Sequence, residues 1–141
     1  MFFLGFMYGN LLEWLIHKYL FHGLGRKKNS IFSYHLKEHH VTAKKNNFVD
    51  KKVSLIETVG MVCLIIVHLP VCYLSTSLFA GIMLYAILFN ILHGYQHRNP
   101  EFCKKYMSWH WEHHMKNSNK NFGVVVDWTD RILGTRKKYE K

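Results

Sequence analysis

Residues 109–114 read Trp109-His110-Trp111-Glu112-His113-His114, and the rest of the chain is organised around them. On an α-helix His113 and His114 stand about −60° and +40° round from His110, at roughly 3.6 residues per turn. Three imidazoles therefore crowd one face, and adjacent histidines diverge enough to reach two different metal ions. Three further segments repeat the pattern. His17 and His22 are spaced H-x4-H, His35, His39 and His40 H-x3-H-H, and His93 and His97 H-x3-H. Ten of the eleven histidines fall in these four clusters, and His68 alone is left out. The expectation is a metal site assembled from four separate segments.

The length of 141 residues predicts a single domain, 1–141. The chain is 49% hydrophobic yet has a formal net charge of +10. Location resolves the apparent conflict. Between Val53 and His97 the only acidic or basic residue is Glu57, and residues 1–25 carry only Glu13 and Lys18. The other 18 Lys and Arg lie in 26–52, with 8, and in 98–141, with 10. Apolar blocks separated by basic blocks read as a multi-span membrane protein. Cys63, Cys72 and Cys103 show no C-x-x-C spacing, so neither a disulfide framework nor a thiolate zinc site is expected. The apolar start lacks a basic n-region and ends in His17 and His22, which argues against a cleavable signal peptide.

Residues 1–22 read as a helix entering the membrane. The apolar part, Met1 to Ile16, spans only about 24 Å of a roughly 30 Å hydrocarbon core, so the helix must continue through the histidines or the bilayer must thin. Gly5 and Gly9 would let another helix approach, and Gly23 and Gly25 would end the helix. Asn29 or Ser30 would cap a short helix bearing His35, His39 and His40, and Lys44 to Asn47 reads as a surface loop. Val53 to Tyr73 is a span, with Pro70 tolerable as a kink or stop near its end. Ser75-Thr76-Ser77 is a tight turn, and Leu78 to Leu92 returns, so that 53–97 form a transmembrane hairpin. Asn99-Pro100 stops it. A helix over about Phe102 to Lys116 holds the opening motif. Phe122 to Val126 reads as extended, Asp127 as the cap of a short helix that Gly134 ends, and 135–141 as a mobile terminus.

A hairpin puts both basic blocks on one side, which the positive-inside rule makes cytoplasmic. All four histidine clusters then gather at that face. The predicted fold is all-α: an integral membrane helical bundle of about three spans with a cytoplasmic helical cap carrying a histidine-rich di-metal site. An unpaired buried imidazole costs about 1–3 kcal/mol, and coordination relieves that. Ten such nitrogens suit two ions with about five protein ligands each. Imidazole favours zinc, copper, iron or nickel, and spacing does not choose among them. The lack of clustered Asp and Glu argues against a carboxylate-bridged bundle.

The four clusters resemble those of the fatty acid hydroxylase/sterol desaturase superfamily. Glu13-Trp14 ahead of His17-Lys-Tyr-Leu-Phe-His22 is similar to the opening motif of that family. Asn121-Phe122-Gly123 followed by Asp130-Arg131-Ile132-Leu133-Gly134-Thr135 is similar to its closing signature. The resemblance implies a membrane enzyme with two metal ions, normally iron with zinc as a substitute. It would use O2 to hydroxylate a fatty-acyl, sphingolipid or sterol-type lipid, with desaturation or carotenoid-ring hydroxylation as variants. Its ligands would be His17, His22, His35, His39, His40, His93, His97, His110, His113 and His114. Electrons would come from a separate donor, a ferredoxin or a small cytochrome with its reductase. Such a protein would be multi-pass, in a bacterial inner membrane or the endoplasmic reticulum. Two features depart from the family. It usually has four spans against the three counted here. Its close relatives often show H-x2-H-H in the second cluster, and the extra residue here would turn His35 by about 100° on a regular α-helix.

Other residues carry plainer expectations. His68 reads as a hydrogen-bonded helix residue. Glu13, one turn before His17, could accept its second imidazole proton or serve helix packing. Glu112 reads as solvated or salt-bridged, and Asp127 and Asp130 as caps. Trp109, Trp111 and Trp128 suit an interfacial belt. The basic blocks could suggest nucleic acid, but membrane orientation and anionic headgroups explain the same charge, so no nucleic-acid partner is expected. The rival of another class is a histidine-rich metal transporter or storage protein. A transporter needs ligands near the midplane, where the sequence offers only His68.

Overall fold

The computed structural model describes residues 1–52 and 54–139. Val53, where the sequence places the start of a span, and the last two residues of the terminus lie outside the described residues. Among the described residues every regular element is helical and none is a strand.

Helix α1 runs Phe2–Leu15 and passes directly into a π-helical turn, Ile16–Phe21. A second π turn, His35–His39, leads into α2, His40–Lys45. The expected loop at Lys44 to Asn47 therefore begins later, because both lysines belong to α2. Ser54 opens α3, Leu55–Leu74, by accepting the Glu57 N–H on its hydroxyl at 3.1 Å. Pro70 lies inside α3 without stopping it. The link to α4, Thr76–Arg98, is Ser75 alone, in extended backbone at φ −162° and ψ 103°. Its hydroxyl accepts the Leu78 N–H, so one residue ends one helix and caps the next, where a three-residue turn was expected.

Helices α3 and α4 are long and apolar enough to cross a membrane. Helix α1, with 14 α-helical residues, rises about 21 Å and by itself falls short of the hydrocarbon core. It lies against α4 at very close range. A methyl group added at Gly5 would collide with the Leu78 carbonyl, and one added at Gly81 would collide with the Phe2 carbonyl. Gly9 leaves room for the Tyr85 ring. The small residues of α1 thus face a small residue of α4, which is how backbones approach in membrane bundles.

Pro100 takes the first position of α5, Pro100–Tyr106, where its missing N–H leaves no bond unmade. The single helix expected over Phe102 to Lys116 is two, because Met107 leaves helical geometry at φ −133° and ψ 45° before α6, Ser108–Met115. Its sulfur accepts from Gln96 Nε2 at 2.8 Å, which ties the break to α4. Residues 122–126 form no strand, and the chain ends in α7, Trp128–Ile132, followed by Gly134 at φ +67°. The π turns, α2, α5 and α6 gather at the end of the hairpin where α3 starts and α4 stops, while α7 packs along α1 with Trp128 against Phe3 and Phe6.

Candidate metal centre

Two π turns solve the spacing problem. On an α-helix, residues five apart stand about 140° round from each other. In the first π turn the His22 N–H donates to the His17 carbonyl at 2.9 Å, and in the second the His40 N–H donates to the His35 carbonyl. This i→i+5 bonding brings His17 beside His22 and His35 beside His40, each pair with ring centroids 4.9 Å apart. Such turns are rare and concentrate at functional sites. The rotation of His35 that a regular helix would impose does not occur, since the wider turn absorbs the additional residue.

The histidines converge in two groups. His17, His22, His35, His40 and His113 offer nitrogens that all lie within 4.8 Å of one another, and so do His39, His93, His97 and His114. His93 is half-buried and the others are buried. The adjacent pairs His39-His40 and His113-His114 each divide between the two groups. His110 stands beside the second group, its ring centroid 4.8 Å from His114 and 5.0 Å from His97. The rings of His40 and His114 stack at 4.0 Å and join the two groups.

The hydrogen bonds around these rings fix which nitrogen faces inward. His17 Nδ1 meets the Phe122 carbonyl at 2.6 Å, His35 Nδ1 a Glu57 carboxylate oxygen at 3.2 Å, and His113 Nδ1 the Lys120 carbonyl at 2.7 Å. Each partner can only accept, so each Nδ1 carries the proton and each Nε2 is a bare lone pair. Yet His17 Nε2 and His35 Nε2 lie 3.0 Å apart. Two lone pairs at that distance repel, and a shared cation is what would hold them there. In the second group His39 Nδ1 donates to Asp50 at 2.8 Å, His97 Nδ1 to the Phe48 carbonyl at 2.8 Å, and His110 Nδ1 to Gln96 Oε1. The Nε2 atoms of His39, His93, His97, His110 and His114 are buried without any hydrogen-bond partner. Buried polar atoms left so are uncommon, and the four that converge, on His39, His93, His97 and His114, fit a cation. Burial, with the neighbouring histidines adding to it, holds His35, His40, His110, His113 and His114 well below the ordinary imidazole range. All five are neutral and able to coordinate at pH 7.

The residues behind the histidines were not singled out from the sequence, although Glu57 was visible as the only charged residue between Val53 and His97. Burial pushes the Asp50 carboxyl up, but hydrogen bonds from His39 and the Lys52 amide outweigh it and hold the group below its usual range. Phe48 has φ 79° and Asn47 φ 51°, rare for such residues, and this left-handed pair aims the Phe48 carbonyl at His97. Asp50→Asn and Glu57→Gln are each expected to weaken metal binding about 10–100-fold, since outer partners of ligating histidines act at that scale. Competition with a metal chelator measures it, and unchanged affinity in both variants would remove the supporting role.

Glu13 takes the packing role. It accepts from the Tyr85 hydroxyl and from the Val124 N–H at 2.7 Å, while His17 uses the Phe122 carbonyl instead. Glu112 is salt-bridged, to Arg136 at 3.1 Å. Asp127 holds Arg131 at 2.9 Å and Arg136 at 2.8 Å, and its side chain does not cap α7. Asp130 accepts the Phe122 and Gly123 amides at 3.0 and 2.7 Å and the Thr135 hydroxyl at 2.6 Å. Both aspartates were expected as caps; instead Asp130 braces the segment that supports His17, and Asp127 pairs with the two arginines. The terminus expected to be mobile is tied down through residue 139, because Arg136 and the Lys137 and Tyr139 amides bond to Asn121 and Glu112.

A cavity of about 220 Å³ opens between α1, α3 and α4. His17, His35 and His93 stand at one end, and Leu12, Ile16, Leu64, Ile82 and Phe89 make the wall hydrocarbon. His68 also lines it. Its Nδ1 donates to the Leu64 carbonyl at 2.7 Å and its Nε2 accepts from the Tyr8 hydroxyl at 3.0 Å. It is the hydrogen-bonded helix residue expected.

A comparison with protein-family models matches residues 2–135 to the family described as Fatty acid hydroxylase. No curated protein and no solved structure matches the chain. The match covers nearly the whole sequence, and the chain belongs to the fatty acid hydroxylase family. Family, histidine groups and two apolar helices together suggest a metal-binding oxidoreductase of membranes acting on lipid.

Proposed function

We propose that this member of the fatty acid hydroxylase family is an integral membrane di-iron oxygenase that hydroxylates a fatty-acyl, sphingolipid or sterol-type lipid, with electrons from a separate carrier. The observation that carries the reading is the convergence of nine histidines in two groups, three of them facing a hydrocarbon-lined cavity. His17, His22, His35, His40 and His113 would hold one ion. His39, His93, His97 and His114 would hold the other, with His110 as its fifth ligand. Two iron ions would supply the oxygen activation and hydrogen abstraction from an unactivated C–H bond that no side chain performs.

The chain's own part is binding and exclusion. Leu12, Ile16, Leu64, Ile82 and Phe89 would take up an alkyl chain, each buried methylene contributing about 0.8 kcal/mol. Glu57, Asp50 and Gln96 orient His35, His39 and His110 and keep their Nε2 atoms turned inward. The burial of the ligands keeps water from competing for the site. The basic segments 26–52 and 98–120 adjoin the histidine end of the hairpin, which supports a cytoplasmic placement of the centre and contact with anionic headgroups. The transporter alternative gains nothing, because His68 is spent on Leu64 and Tyr8.

Lipid mass profiling of cells with and without the gene tests the reading. A lipid class gaining the mass of one oxygen atom is the expected result. Loss of two hydrogens would convert the assignment to desaturation, and an unchanged lipid profile with bound metal would overturn it in favour of metal transport or storage.

A further inference from the structure

The cavity has a built end. On α3 no described residue beyond His68 lines it, on α4 none before Ile82, and on α1 none before Gly9. At that level Tyr8 of α1 and His68 of α3 meet across the gap, with ring centroids 5.5 Å apart. Theirs is the only side-chain hydrogen bond joining α1 to α3 among the described residues. The Leu64 carbonyl holds the proton on His68 Nδ1, so Nε2 can only accept and the Tyr8 hydroxyl donates to it. Both hydrogens of the pair are spent, the hydroxyl's on His68 and the ring's on Leu64, so neither side chain has a donor left for a ligand. A matched pair of rings in an otherwise hydrocarbon region obstructs; it does not recognise.

We propose that the Tyr8–His68 pair is the end-stop of the cavity and sets the longest alkyl segment the protein accepts. This rests on the reading of the cavity as a lipid site. The depth follows from the helices. Glu57, at the histidine end, and His68 are separated by about 16 Å along α3 at 1.5 Å per residue. His93 and Ile82 on α4 give the same figure. An extended alkyl chain with 1.52 Å bonds near the tetrahedral angle advances about 1.25 Å per carbon, so the slot holds roughly thirteen carbons beyond the histidines. The occupant is a straight saturated chain, entering with its methyl end towards Tyr8 and His68.

The experiment uses the full, metal-loaded protein in phospholipid nanodiscs. The probes are saturated fatty acids of about ten to about twenty carbons, a range that brackets the slot. Retained acid is measured by mass spectrometry. The wild-type protein is expected to retain acids with rising strength up to a limit and to lose them beyond it. His68→Ala is expected to move that limit by about three carbons, the depth of the lost ring, and to improve retention of the acid at the new limit roughly tenfold or more. His68→Phe keeps the bulk and is expected to keep the wild-type limit. Neither change touches a proposed metal ligand, so metal content stays that of the wild type and reports on folding. A His68→Ala profile identical to wild type, or a His68→Phe profile shifted as far as that of His68→Ala, would overturn the end-stop alone. A wild-type protein that retains no acid of any length would overturn both the end-stop and the lipid reading of the cavity.

Discussion

His113→Ala is expected to empty one of two metal positions and leave the other filled, taking metal content from two ions per chain to one and lipid turnover to below detection. The geometry makes the effect selective. His113 Nε2 lies 3.1 Å from His22 Nε2 in the first group, while the next residue, His114, belongs to the second. His114→Ala is therefore expected to empty the opposite position. Removing an outer partner of a ligating histidine already costs about 10–100-fold in affinity, and removing the ligand itself costs more. Membrane insertion should be unaffected, because α3 and α4 do not depend on either ring. Elemental analysis of the purified variants checks this. Two ions retained in His113→Ala, with product still formed, would sink the assignment of that group.

Asp130→Ala should produce the largest loss of stability among changes outside the histidines. The carboxylate is fully buried and accepts from the Phe122 and Gly123 amides and the Thr135 hydroxyl. An alanine leaves these three donors without a partner, at about 1–3 kcal/mol for each that stays buried, or about 3–9 kcal/mol if all three do. The consequence reaches the metal centre, because the Phe122 carbonyl holds the proton on His17 Nδ1. The variant is expected to unfold at markedly lower temperature and to lose metal from the first group before the second. Thermal unfolding followed together with metal content measures both. Stability within about 0.5 kcal/mol of wild type, the range of ordinary surface substitutions, would show that the segment holds itself.

The residues that carry chemistry were plainer in the sequence than the way they are brought together. Adjacent histidines in His39-His40 and His113-His114 were expected to reach two ions, and they do fall in different groups. The hairpin, the Gly5 and Gly9 contact and the role of Pro100 follow from composition and local chemistry. The π turns do not. Reading His17 and His22, or His35 and His40, at 3.6 residues per turn sets them on different faces, and nothing local marks the change to i→i+5 bonding. Tertiary convergence of the side chains decides it. The same holds for Met107, whose sulfur meets Gln96 at the break from helix, and for Asp127 and Asp130, whose partners include Arg136 and Thr135 of a tail that looked free. Carboxylates such as Asp50 were hidden because a supporting role is defined by distance in space. His39 and Asp50 are eleven residues apart, with no periodicity to connect them.

The proposed centre is a pair of ions whose protein ligands are all imidazoles. X-ray absorption on the purified protein, read together with its metal stoichiometry, tests it most directly. The expected result is two ions per chain, a first shell of nitrogen and oxygen at about 2.0–2.2 Å with the outer scattering of histidine rings, and no sulfur near 2.3 Å. Metal bound in less than stoichiometric amount, or a shell dominated by sulfur, would contradict it.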